Sequence, residues 1–208
     1  MKTQVFFLII IFCINTAAIS QNNNGDSNYY FHNMENGLDF DYEIAIGIIN
    51  IDNIENIKTI HSLYFSNSTI INFQNIKKAE NLEYLYISNC SFDSSIENIS
   101  ELKKIKQLII TFCKLVDIDF LSNIRSLELL CLDNNNISDI TILRNLNNLY
   151  FLSLMNNNIS KIDSLNNLSK LLYLNLRNNI IIDFSPISNL ANLTNLRIDT
   201  PEQRRESD

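Results

Sequence analysis

Apolar and polar positions along this chain recur with a fixed period. Segments starting at Leu127, Leu149, Leu171 and Leu193 follow one another at intervals of 22 residues. In each, apolar residues stand at offsets 0, 3 and 5: Leu127, Leu130, Leu132; Leu149, Leu152, Leu154; Leu171, Leu174, Leu176; Leu193, Leu196, Ile198. In the first three, Asn follows at offset 8 (Asn135, Asn157, Asn179) and Ile at offset 10 (Ile137, Ile159, Ile181). The register extends towards the N-terminus from Ile105 (Leu108, Ile110, Cys113, Leu115), Leu82 (Leu85, Ile87, Cys90, Phe92) and Ile60 (Leu63, Phe65, Ser68, Ile70). The repeat at Leu82 holds one extra residue near Asp93. Six full repeats and a seventh strand therefore span 60–198.

Offsets 3 and 5 alternate as a short strand does, with side chains two apart facing one core. Offset 8 calls for a side chain that hydrogen-bonds the backbone of a sharp turn; Asn does so with its amide, and Cys90 and Cys113 are smaller and weaker substitutes. Apolar residues then return at three-residue spacing, as in Ile137, Ile140, Leu143 and Leu146, which predicts a short 3₁₀-like segment. Pro186 stands near the start of one such segment, where its missing N–H costs least. One repeat cannot bury its own apolar face, so stacking must supply a continuous core.

These residues resemble the leucine-rich repeat family in its 22-residue class, which includes bacterial internalins and a nuclear regulator of protein phosphatase 1. The resemblance implies an α/β solenoid: a curved parallel β-sheet on the concave face, with 3₁₀ and irregular segments on the convex face. Residues 38–59, with Ile48, Ile51, Ile54 and Ile57 at triplet spacing, are then expected as an N-terminal cap. A charged tail is expected over 199–208. The internalin-like likeness implies an exported, non-enzymatic binding module, with a host or cell-surface protein as one version of its partner. The alternative is an intracellular scaffold or phosphatase regulator of the same repeat class.

Charge narrows the partners. Asp and Glu number 23 against 16 Lys and Arg, a formal net charge of -7. Nothing resembles a basic stripe that would neutralise phosphates, so nucleic acid is not expected as a partner. At the N-terminus, Lys2 precedes an apolar run over 5–14, followed by Thr16, Ala17, Ala18 and Ser20. The run is too short to span a bilayer and reads as a signal peptide over 1–20, the alternative being an uncleaved anchor. A polar, Asn-rich flexible leader over 21–37 would follow. Secretion or cell-surface display is the expected localisation.

Catalytic chemistry finds no foothold: there are three glycines and two histidines, and His32 and His61 are far apart in sequence. No cofactor, metal site or small-molecule substrate is expected, and a monomer is. Asp117, Asp139 and Asp183 share one repeat position and read as a row of turn caps in preference to a cation site. Cys90 and Cys113 share another and read as reduced turn residues, with a disulfide as the alternative. Seven Asn-x-Ser/Thr triplets (Asn67, Asn89, Asn98, Asn136, Asn158, Asn167, Asn192) leave glycosylation open.

The informative surface is the inner curve of the sheet. Strand residues between the core positions fall in columns there, and Tyr64, Tyr84, Tyr86, Ile109, Leu129, Phe151, Met155 and Tyr173 would make a near-contiguous apolar and aromatic patch. Such patches mark interaction sites, although aromatics also favour strands for their own sake. Tyr86 and Phe151 are expected anchors, open to water and outside the core.

Overall fold

The computed structural model describes residues 42–199. The expected signal peptide and leader lie outside them, as do residues 38–41 of the cap region and the tail beyond Asp199. Nine strands occur among the described residues: β1 (Tyr42–Asn50), β2 (Ser62–Ile71), β3 (Tyr84–Ser88), β4 (Ser91–Phe92), β5 (Gln107–Thr111), β6 (Leu129–Cys131), β7 (Phe151–Ser153), β8 (Tyr173–Asn175) and β9 (Asn195–Arg197). They form one sheet in the order β1-β2-β3-β5-β6-β7-β8-β9, with β4 pairing β2 off this path. Every pairing is parallel. Chain order equals spatial order along the path, so the architecture is a leucine-rich repeat solenoid.

The register carries the periodicity into space. Leu63, Leu85, Leu108, Leu130, Leu152, Leu174 and Leu196 are successive ladder partners. All but Leu196 are fully buried; Leu196, on the last strand, is 43% exposed. Short 3₁₀ segments run opposite the sheet, from Ile51–Asn53 and Phe73–Lys78 to Asp163–Leu165 and Ser185–Ile187. The core fills the space between, through residues such as Phe73, Ile76, Ile99, Leu121, Leu143 and Leu165.

Turn chemistry accounts for the polar positions. Asn135 Nδ2 donates to the carbonyls of Ile110, Leu132 and Asp133, while its Oδ1 accepts from the N–H groups of Cys113 and Leu115. Asn157 and Asn179 repeat the arrangement one and two turns on. The position before them has a role the periodicity did not reveal. Asn67, Asn89, Phe112, Asn134, Asn156 and Asn178 all have φ between 49° and 58°. Asn tolerates this left-handed region; a bulky aromatic does so only under strain. Asp117, Asp139 and Asp183 each accept the N–H two residues on, capping the 3₁₀ segments. Bonds from the Thr141 side chain and N–H hold the Asp139 carboxyl below its ordinary range, and bonds from the Ser185 N–H and side chain do the same for Asp183.

Among the described residues no disulfide joins Cys90, Cys113 or Cys131. Cys90 and Cys113 donate to the carbonyls of Ser88 and Thr111, as turn residues. Burial pushes both thiols up, Cys113 to about 12, which keeps them protonated and poorly nucleophilic.

Candidate functional site: the concave face

The candidate residues fall on two columns set by the strand register. Tyr84, Gln107, Leu129, Phe151 and Tyr173 are successive partners in one. Tyr64, Tyr86, Ile109, Cys131, Ser153, Asn175 and Arg197 form the other. Side chains on alternate residues of a strand share a face, so both columns lie on the side away from the core. Tyr64, Tyr86, Ile109, Leu129, Cys131, Phe151 and Tyr173 gather there into a hydrophobic cluster separate from the main core, with Tyr84 and Tyr150 half-buried against it. Met155 is half-buried and stands outside the cluster.

One expectation needs correction. Tyr64, Tyr86 and Phe151 do not stand open to water: they are 7%, 5% and 1% exposed. Their register is as the periodicity predicts, yet residues on adjacent strands cover one another's flanks. The rings of Phe151 and Tyr173 stack at 4.3 Å with an interplanar angle of 2°. The Tyr86 hydroxyl donates to Gln107 Oε1 at 2.8 Å. Tyr64, Tyr86, Cys131, Phe151 and Tyr173 are all engaged by partners. Burial, above all, lifts the Tyr86 phenol well above its ordinary range. Replacing Tyr86 or Phe151 with Ala would therefore perturb stability as well as any binding.

A polar group borders the cluster. Asp133 is 1% exposed. Its Oδ1 accepts from Ser153 Oγ and the Met155 N–H, both at 2.7 Å. Its Oδ2 is buried without a hydrogen-bond partner. Burial raises this carboxyl to about 6; the bonds from Ser153 and Met155 and the neighbouring Cys131 thiol pull the other way. Sequence reading passed over Asp133, Cys131 and Tyr150. The available signal for Asp133 was an acid in a column otherwise opened by Ser66, Ser88 and Thr111. On the lip of the sheet, Lys106 pairs with Glu83, next to Glu128 and Tyr150. No group of three or more metal-binding side chains occurs among the described residues.

No family model matches the sequence, and no curated protein does. Solved structures place the fold. An internalin (inlF) from Listeria monocytogenes is 27% identical with a TM-score of 0.62, over 74% of this chain and 52% of that one. Internalin C2 (inlC2) from the same organism is 26% identical with a TM-score of 0.61, over 76% of this chain and 80% of that one. The ectodomain of the Arabidopsis receptor kinase HAESA, solved with a peptide hormone and a co-receptor, is 23% identical with a TM-score of 0.60. It covers 74% of this chain but 28% of its own, and at that identity shares the fold alone.

The chain is thus a leucine-rich repeat protein in architecture, repeat length and strand register. Within that class it is internalin-like, and it spans about half of the internalin F structure.

Proposed function

We propose that this chain is an exported, non-enzymatic module that binds a protein partner through the concave face of its repeats. The observation that carries the reading is the second hydrophobic cluster. A sheet packed against a core needs only one apolar face. Here the opposite face also carries an apolar layer drawn from six strands, rich in Tyr and Phe, the residues that dominate interface centres. The receptor-ectodomain structure supports the choice of a protein or peptide as the occupant: HAESA was solved in complex with a peptide hormone and a co-receptor. A host or cell-surface protein remains the specific version of that partner, and monomeric action the simplest assembly. Residues for the test are the half-buried Tyr84 and Met155. Crosslinking to intact cell surfaces should be lost on Tyr84→Ala and Met155→Ala while thermal melting stays close to wild type. Undiminished crosslinking by both variants would reject the face. Export is tested separately: a mature N-terminus near Gln21 by intact mass supports it, whereas retention of Met1 favours the intracellular scaffold.

A further inference from the structure

The concave face carries three polar groups that the fold leaves unmatched. Asp133 Oδ2, Arg177 Nε and Arg197 Nε are each buried with no hydrogen-bond partner. No salt bridge joins them among the described residues. Asp133, Met155 and Arg177 occupy the same repeat position on successive turns, which sets the backbones of Asp133 and Arg177 two strand spacings apart, roughly 10 Å. Arg197 continues the column of Ser153 and Asn175. Buried polar groups normally find partners, and an unmatched one costs the fold stability. Three of them on one face, two cationic and one acidic, are a feature that a ligand of matching charge would complete.

The geometry of Asp133 is fixed before any ligand arrives. Ser153 and the Met155 N–H hold one oxygen and the Cys131 thiol also bears on the carboxyl, leaving the remaining acceptor capacity of the second oxygen for an incoming donor. Burial brings the carboxyl to about 6, so it is mostly ionised at neutral pH, where a cationic donor gains most from it. Each arginine offers a planar donor set suited to a carboxylate.

We propose that Asp133, Arg177 and Arg197 form a charge-reading subsite for the protein partner, taking a Lys or Arg side chain at Asp133 and an Asp or Glu side chain at the arginine pair. This rests on the concave-face reading and adds the chemistry of the segment recognised: two opposite charges, met by residues whose backbones stand roughly 10 Å apart, carried next to apolar residues.

Random dodecapeptides displayed on phage, panned on the purified protein, supply the probe. Enriched peptides should carry a basic and an acidic residue separated by a few positions. Asp133→Asn, and separately Arg177→Gln with Arg197→Gln, should weaken them about tenfold or more, the scale of a lost charge-assisted hydrogen bond. Replacing the peptide's basic residue with Gln should weaken binding to the wild type by a similar factor and cause little further loss in Asp133→Asn, since the two changes remove one interaction. Melting curves confirm that each variant folds. Peptides weakened by Phe151→Leu or Tyr84→Ala but held undiminished by Asp133→Asn and by the double Arg variant would overturn the subsite and leave the concave-face reading intact. Binding indifferent to every one of these changes, or a library that yields no binder, would overturn both.

Discussion

The first three repeats and the last three share one register but secure their turns differently. Where the turn residue is Ser68, Cys90 or Cys113, the strands β2, β3 and β5 run for ten, five and five residues. Where it is Asn135, Asn157 or Asn179, strands β6, β7 and β8 stop at three. The 3₁₀ segments shorten in parallel, from six residues at Phe73–Lys78 and Ile96–Glu101 to three at Asp163–Leu165 and Ser185–Ile187. A buried Asn amide satisfies several backbone groups at once, so the chain can leave the ladder early. A hydroxyl or thiol satisfies one, and main-chain pairing must continue: β4 pairs β2 through Thr69↔Ser91 and Ile70↔Phe92. The extra residue near Asp93 belongs to this second solution. Asp93 accepts from the N–H groups of Asn72 and Phe73, capping the neighbouring 3₁₀ segment. The same backbone demand is thus met by side chains at one end and by strand pairing at the other.

The strongest check on that contrast starts where the two regions should not differ. Leu85→Ala and Leu152→Ala both truncate fully buried ladder residues; each should cost about 2–5 kcal/mol by denaturant unfolding. The regions should separate at the turn. Asn157→Ala removes four hydrogen bonds and strands buried backbone groups, for about 2–4 kcal/mol. Cys90→Ala removes one thiol contact and should cost about 1 kcal/mol. Equal losses would erase the distinction.

Asp133 gives a pH-dependent test at the boundary of the regions. Its folded-state carboxyl lies at about 6 against an ordinary 3.8, so the folded protein binds the extra proton between those values. Stability therefore falls as pH rises from about 4 to about 6. Asp133→Asn escapes this loss while keeping an acceptor for Ser153 and Met155. Its unfolding free energy should match wild type near pH 4 and exceed it above pH 6, by up to about 3 kcal/mol, read by denaturant unfolding. A constant difference across the range would exclude the carboxyl as its source.

Phe112 interrupts the asparagine row at the left-handed position. It is 43% exposed with φ 55°. Phe112→Asn should relieve the backbone and stabilise by about 1 kcal/mol, read as a higher melting temperature. The smallest effect concerns the last strand, where Leu196 is exposed. Amides of residues 193–198 should exchange faster than those of β7, and equal protection would show the end to be as well held as the middle.

Much of this was legible from the chain. Offsets 3 and 5 named the ladder from Leu63 to Leu196, and triplet spacing named the 3₁₀ rows, because burial alone dictates both. β1 was harder: its residues fall where a cap was expected, and Ile48, Ile51, Ile54 and Ile57 suggested a triplet spacing that hid a nine-residue strand. There Gly47 adopts φ 132°, a conformation open to glycine. The left-handed turn position escaped notice because Asn served as well for composition bias as for conformation. The columns of Tyr86 and Phe151 were placed by register. How far those side chains are buried was not, since coverage depends on packing across strands and no single repeat contains that information.

Strict sequential pairing also gives this molecule an unusual kind of modularity. Each strand from β6 to β8 pairs only with the one before and the one after, so inserting a second copy of residues 149–170 should lengthen the inner wall by one rung, about 4.8 Å, and add another Phe–Ser pair to its lining without recasting the rest. Reach, and with it the size of what can be held, would then be set by copy number: a quantity that recombination between repeats can change in a single step.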